Sequence, residues 1–112
     1  MVIAEVSIEP IGTGTPSYSD LVAASVTVLK GQKDVKYDVT AMGTILEGER
    51  SNVLKLVEDM TEACFKAGAK RVLTSLRLDE RRDRPMHHMD EMEREVEQKA
   101  GTAPGPRMGT RP

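Results

Sequence analysis

The chain has 112 residues, 38% of them apolar and 30% charged, with a formal net charge of −2 and a single cysteine. That suits one domain of ordinary size and excludes a dinucleotide-binding domain with a catalytic partner; no apolar run approaches the roughly 20 residues that cross a bilayer. Mild acidity and a scarcity of rings (one Phe, two Tyr, no Trp) argue against a nucleic-acid surface, and the lack of a secretory leader pattern makes a cytoplasmic location the expectation.

Residues 2–9 alternate, with Val2, Ala4, Val6 and Ile8 on one side and Glu5, Ser7 and Glu9 on the other, which predicts a strand with one buried face. In the loop that follows, Gly12 and Gly14 allow a tight turn, and Ser17 caps a helix with Asp20 three positions on. Val22, Val26 and Leu29 form the apolar stripe of that helix and Gly31 ends it. Alternation returns from Val35 to Ala41, where Val35, Tyr37, Val39 and Ala41 interleave with Lys36, Asp38 and Thr40. With the segment Gly43 to Glu47 this reads as an antiparallel pair joined near "AMGT". Ser51 is placed to cap a second helix whose stripe is Val53, Val57, Met60, Cys64 and Ala67, closed by Gly68. Cys64, with no disulfide partner, reads as a small buried hydrophobe. The last strand sets Val72, Thr74, Leu76 and Leu78 against Leu73, Ser75, Arg77 and Asp79.

The order is β-α-β-β-α-β. Two helices cover one face of a four-stranded antiparallel sheet, so the fold class is α+β, the ferredoxin-like split βαβ sandwich, with its other sheet face open. An extra C-terminal helix is predicted over residues 86–99, where Met86, Met89, Met92 and Val96 form a flank suited to docking on this or a second subunit. The domain is therefore 1–99, and the Gly- and Pro-rich residues 100–112 read as a disordered tail.

Few residues suggest chemistry. The loop "GTGTPS" matches G-x-G-x-x-G at Gly12 and Gly14 but has Ser17 third, and the chain lacks the parallel strands of a dinucleotide fold; no Gly-Lys-Ser/Thr marks a P-loop. Two compatible readings remain: glycines that turn and a serine that caps, or a polar cradle of Thr13, Thr15, Ser17 and Ser19 at a helix N-terminus. His87 and Glu91 lie one helical turn apart, but His87 and His88 point about 100° apart and cannot chelate one ion together, so no metal site is predicted. Nothing pairs a nucleophile with a base, which leaves no catalytic residue and no cofactor. The run Arg77–Arg84 largely neutralises itself. Carboxylates and hydroxyls projecting from the open sheet face beside Ile45 and Leu73 suggest a face that meets another subunit and encloses a polar pocket.

At "PIGTGTPSYSDLVAASVTVL", "YDVTAMGTILEGE" and "RVLTSLRLDERRD" the chain resembles the family of thiamine-binding proteins, small ferredoxin-like proteins of archaea, bacteria and yeast. The resemblance covers about residues 1–99. It implies a non-catalytic protein that binds thiamine or its hydroxymethylpyrimidine half. It also implies assembly through the sheets and the C-terminal helix into a homotetramer, a dimer of dimers, while composition and charge leave no nucleic acid or membrane partner expected. Thiamine combines a cationic thiazolium with an aminopyrimidine, so a binder needs a wall for the rings and acceptors for the amino group. The residues implied are Tyr37 and Met42 as wall, Asp38, Thr44 and Glu47 as polar partners, Gly43 between them, and Gly12, Thr13 and Ser17 at the rim. The alternative is a structural or regulatory homo-oligomer with no small-molecule ligand.

Overall fold

The computed structural model describes residues 1–14 and 19–101. The order is β1 (Val2–Pro10), α1 (Ser19–Lys30), β2 (Lys36–Thr40), β3 (Gly43–Gly48), α2 (Arg50–Lys66), β4 (Val72–Glu80) and α3 (Met89–Lys99). The strands lie in the order β2-β3-β1-β4 with every neighbouring pair antiparallel, which is the ferredoxin-like plan. The expected cap at Ser17 and the expected tail from residue 102 onward fall outside the described residues.

Alternation in β1 directs the packing. Val2, Ala4, Val6 and Ile8 are buried against α1 and α2, where they meet Leu46 of β3, Leu29 of α1, and Val53, Leu56, Val57, Met60 and Cys64 of α2. Ser25 is also buried, and its hydroxyl donates to the Met60 carbonyl at 2.8 Å, so the polar group that α1 takes into the core is satisfied by α2. Gln32 closes the α1–β2 loop: its amide nitrogen donates to the Leu29 and Val35 carbonyls, and its oxygen accepts from Val35 N–H.

Three features of the helices differ from the sequence reading. Glu49, not Ser51, is the N-cap of α2, and it caps without a side-chain hydrogen bond. Leu56 takes the buried place expected for Ala67, which ends the helix as an exposed C-cap beyond the reach of the core. Gly68 follows with φ 120 and donates its N–H to the Phe65 carbonyl, so the glycine does stop the helix. The third difference is α3, which starts at Met89 rather than Met86. Its first amide donates at 2.9 Å to the carboxylate of Glu47 on β3, which fixes where the helix begins.

The register defines the face away from the helices. Across β2, β3, β1 and β4 it reads Lys36, Glu47, Ile3, Asp79, and then Asp38, Ile45, Glu5, Arg77. No residue of α3 is buried, and its anchor to the first of these rows is Glu47, which also takes the Nδ1 of His88 at 3.1 Å.

Candidate functional site

The β2–β3 hairpin turns through Ala41 and Met42, with Thr40 opposite Gly43 as the last pair. The Thr40 hydroxyl donates to the Gly43 carbonyl at 2.7 Å and accepts from Met42 N–H at 3.4 Å, bracing the turn from one side. Neither turn residue has positive φ, so this is not one of the primed two-residue turns whose twist matches that of the strands; unprimed turns splay them. Gly43 meets β1 at close range: a Cβ there would lie 2.9 Å from the Val6 carbonyl oxygen. Beyond that contact the two strands part. β3 pairs with β1 only as far as Val6–Thr44, whereas β4 follows β1 to Pro10.

The gap opens into a cavity of about 310 Å³ between α1, the last residues of β1 and the hairpin tip. Val22 and Val26 of α1 form its apolar side, and Met42, 84% exposed, overhangs it. Ser25 also lines it, but its hydroxyl is committed to Met60. Thr44 is buried on the cavity side and its hydroxyl has no hydrogen-bond partner among the described residues. Glu9 also lines the cavity and has no ion pair among them.

Of the residues singled out in the sequence, Met42, Gly43 and Thr44 come together here. Tyr37 alternates to the helix side of β2 and packs against the core. Asp38 and Glu47 project from the opposite sheet face, where Glu47, 4% exposed, holds the start of α3. Gly12 and Gly14 adopt φ 74 and 79, as a tight turn after β1 requires, and Thr13 is half-buried between them; Ser17 lies outside the described residues. The cavity also brings in Ile8, Val22 and Val26, none of which the sequence reading placed in a site, and Ser7 and Glu9, which it placed at a polar pocket on the open sheet face. Alternation assigns them to strand faces and a helix stripe, and gives no sign that the strand loses its neighbour halfway along.

A second concavity, of about 530 Å³, runs between the end of β4, the 81–87 segment and α3, over Met86, Met92 and Val96. Several of its charges are mutually engaged. Lys99, donating at 2.9 Å, holds the Glu95 carboxyl below the ordinary glutamate range; burial opposes the shift and His87, 3.2 Å away, adds to it. A two-pronged hydrogen bond from Arg81 likewise holds the Asp83 carboxyl low. His87 stands outside α3 and faces Glu95, not Glu91, and no cluster of three metal-ligating residues occurs among the described residues. No helix there is long and apolar enough to cross a membrane.

A family model described as thiamine-binding protein matches residues 4–97. The UPF0045 protein YqgV of Bacillus subtilis is 44% identical over 87 residues, covering 75% of this chain and 84% of that protein. Among solved structures, MJ1052 of Methanocaldococcus jannaschii superposes with a TM-score of 0.75 at 34% identity, over 85% of this chain and 94% of the other. TM0486 of Thermotoga maritima, whose description names thiamine biosynthesis/salvage, superposes with a TM-score of 0.69 over 85% of this chain and 97% of its own; at 18% identity the likeness is one of fold.

Proposed function

The chain belongs to the thiamine-binding protein family, and from that premise we propose that it is a non-catalytic binding protein for thiamine or its hydroxymethylpyrimidine half. The proposed site is the cavity between α1, β1 and the hairpin tip, extended by Gly12 and Thr13 of the loop that follows β1.

The observation that carries this reading is the set of uncommitted polar groups on an otherwise apolar wall. The cavity volume, about 310 Å³, lies at the lower end of the range for small-molecule sites. Thr44 offers a hydroxyl to the aminopyrimidine, Met42 a soft polarizable wall to the rings, and Glu9 a carboxylate to the thiazolium cation. Tyr37, Asp38 and Glu47 support the hairpin and α3 in this reading instead of touching the ligand. Calorimetric titration with thiamine and with hydroxymethylpyrimidine is the test. Saturable heat from either ligand supports the proposal, and no heat together with no thermal shift at millimolar ligand refutes it.

We further propose a homotetramer built as a dimer of dimers through the open sheet face and α3. Support comes from the row Asp38, Ile45, Glu5, Arg77, which mixes both signs of charge around an apolar centre, and from Val96, 68% exposed on a helix with no buried residue. These surfaces also suit the alternative, a structural or regulatory oligomer without a ligand. Replacing Thr13 and Thr44 by alanine separates the two: a ligand-binding tetramer loses affinity while staying assembled, whereas a purely structural one changes only in stability.

A further inference from the structure

We infer that the main chain of Ile8 reads the ligand: its N–H and C=O form a donor–acceptor pair on the cavity wall, matched to a planar ring that carries an acceptor nitrogen beside an amino donor. The inference rests on the cavity being the ligand site, and it adds the chemical rule by which that site would select.

The phase of the β1 ladder determines where these groups point. Ile11 N–H donates to the Arg71 carbonyl at 2.8 Å, one step beyond the Pro10–Val72 pair, so Ile11 and Arg71 form a hydrogen-bonded pair on the β4 side. In an antiparallel ladder such pairs alternate with non-bonded ones. Ile3, Glu5, Ser7 and Glu9 therefore turn their peptide groups toward β4, while Val2, Ala4, Val6 and Ile8 turn theirs toward β3. The close approach of Gly43 to the Val6 carbonyl oxygen agrees with that assignment. Val2, Ala4 and Val6 find Gly48, Leu46 and Thr44 opposite them. Opposite Ile8 the register calls for Met42, but the hairpin has already turned away, and the Ile8 peptide groups have no ladder partner among the described residues.

Ile8 and Thr44, whose hydroxyl has no hydrogen-bond partner among the described residues, both line the cavity. A buried strand edge without a partner is costly, which favours an occupant that restores both hydrogen bonds. The next residue facing the same side is Pro10, which has a carbonyl and no N–H, so the edge cannot extend as a regular ladder. One donor and one acceptor bounded by a proline fit a single small ring better than an added peptide strand. An aminopyrimidine has the complementary pair: a ring nitrogen to accept from Ile8 N–H and an amino group to donate to Ile8 C=O.

The experiment is a titration of the full-length, ¹⁵N-labelled protein with hydroxymethylpyrimidine and with its analogue lacking the amino group, read by amide shifts and hydrogen exchange. The expected result is a downfield shift and slowed exchange of the Ile8 amide, with the amino-less analogue binding about tenfold or more weakly. If the Thr44 and Met42 signals move while the Ile8 amide keeps its shift and exchange rate, or if the two rings bind equally, the inference is overturned and the cavity stands as the ligand site. If none of the three signals moves, the inference and the cavity reading fall together.

Discussion

Gly43 and Thr44 are neighbours with different demands on them. Gly43 has no room for a side chain, because a Cβ would press on the Val6 carbonyl oxygen at 2.9 Å. Gly43→Ala should lower unfolding free energy by about 1–3 kcal/mol through forced backbone movement, measurable by urea denaturation. Thr44 packs under the hairpin with a hydroxyl that bonds to nothing among the described residues, so its polar atom is available to a ligand. Thr44→Val keeps the shape and removes that atom. It should leave stability nearly unchanged while weakening hydroxymethylpyrimidine binding roughly fivefold, equivalent to about 1 kcal/mol, in a calorimetric titration. Both residues stand out in the sequence as part of "AMGT", but the reason for each is spatial: the contact that demands glycine comes from a strand more than thirty positions earlier.

Among the elements, α3 depends most on single contacts. It buries no side chain, and its first amide and His88 both bond to one Glu47 oxygen. Glu47→Gln replaces a charged acceptor at a helix N-terminus by a neutral one, and should speed exchange of the first α3 amides several-fold while the amides of β1 and α2 keep their protection. Farther along the helix, Glu95 is held low by Lys99 and His87. A carboxylate depressed in the folded state contributes stability that is complete above the ordinary glutamate range and is lost as pH falls through the depressed value. NMR titration should therefore show Glu95 protonating below the ordinary glutamate range, with Lys99→Met moving it back toward that range. The helix itself was readable from its Met and Val spacing, but its start was not. Met86 through His88 fit the helical pattern as well as Met89 does, and only the carboxylate of a distant strand selects the first turn.

At the scale of the whole molecule, the open face and α3 are the surfaces of the proposed tetramer. Removing residues 86–99 costs no buried apolar side chain, so the truncated chain should keep its fold while light scattering shows a fall from tetramer to dimer; an unchanged mass would assign assembly to the sheet face alone. The sequence by itself determined the order of elements, the buried face of β1 and the α+β class, because side-chain alternation and helical spacing are local consequences of backbone geometry; on β2 the same alternation misleads, since Val39 is exposed and Asp38 is buried. Neighbouring strands followed from the topology that those elements allow, and the order β2-β3-β1-β4 in the structure agrees with it. What tertiary structure alone decided is where pairing stops. β1 keeps one neighbour to Pro10 and loses the other after Val6, and the space left between them is the cavity. The groups exposed there belong to the main chain, which every residue carries alike, so no pattern of side chains could have announced them.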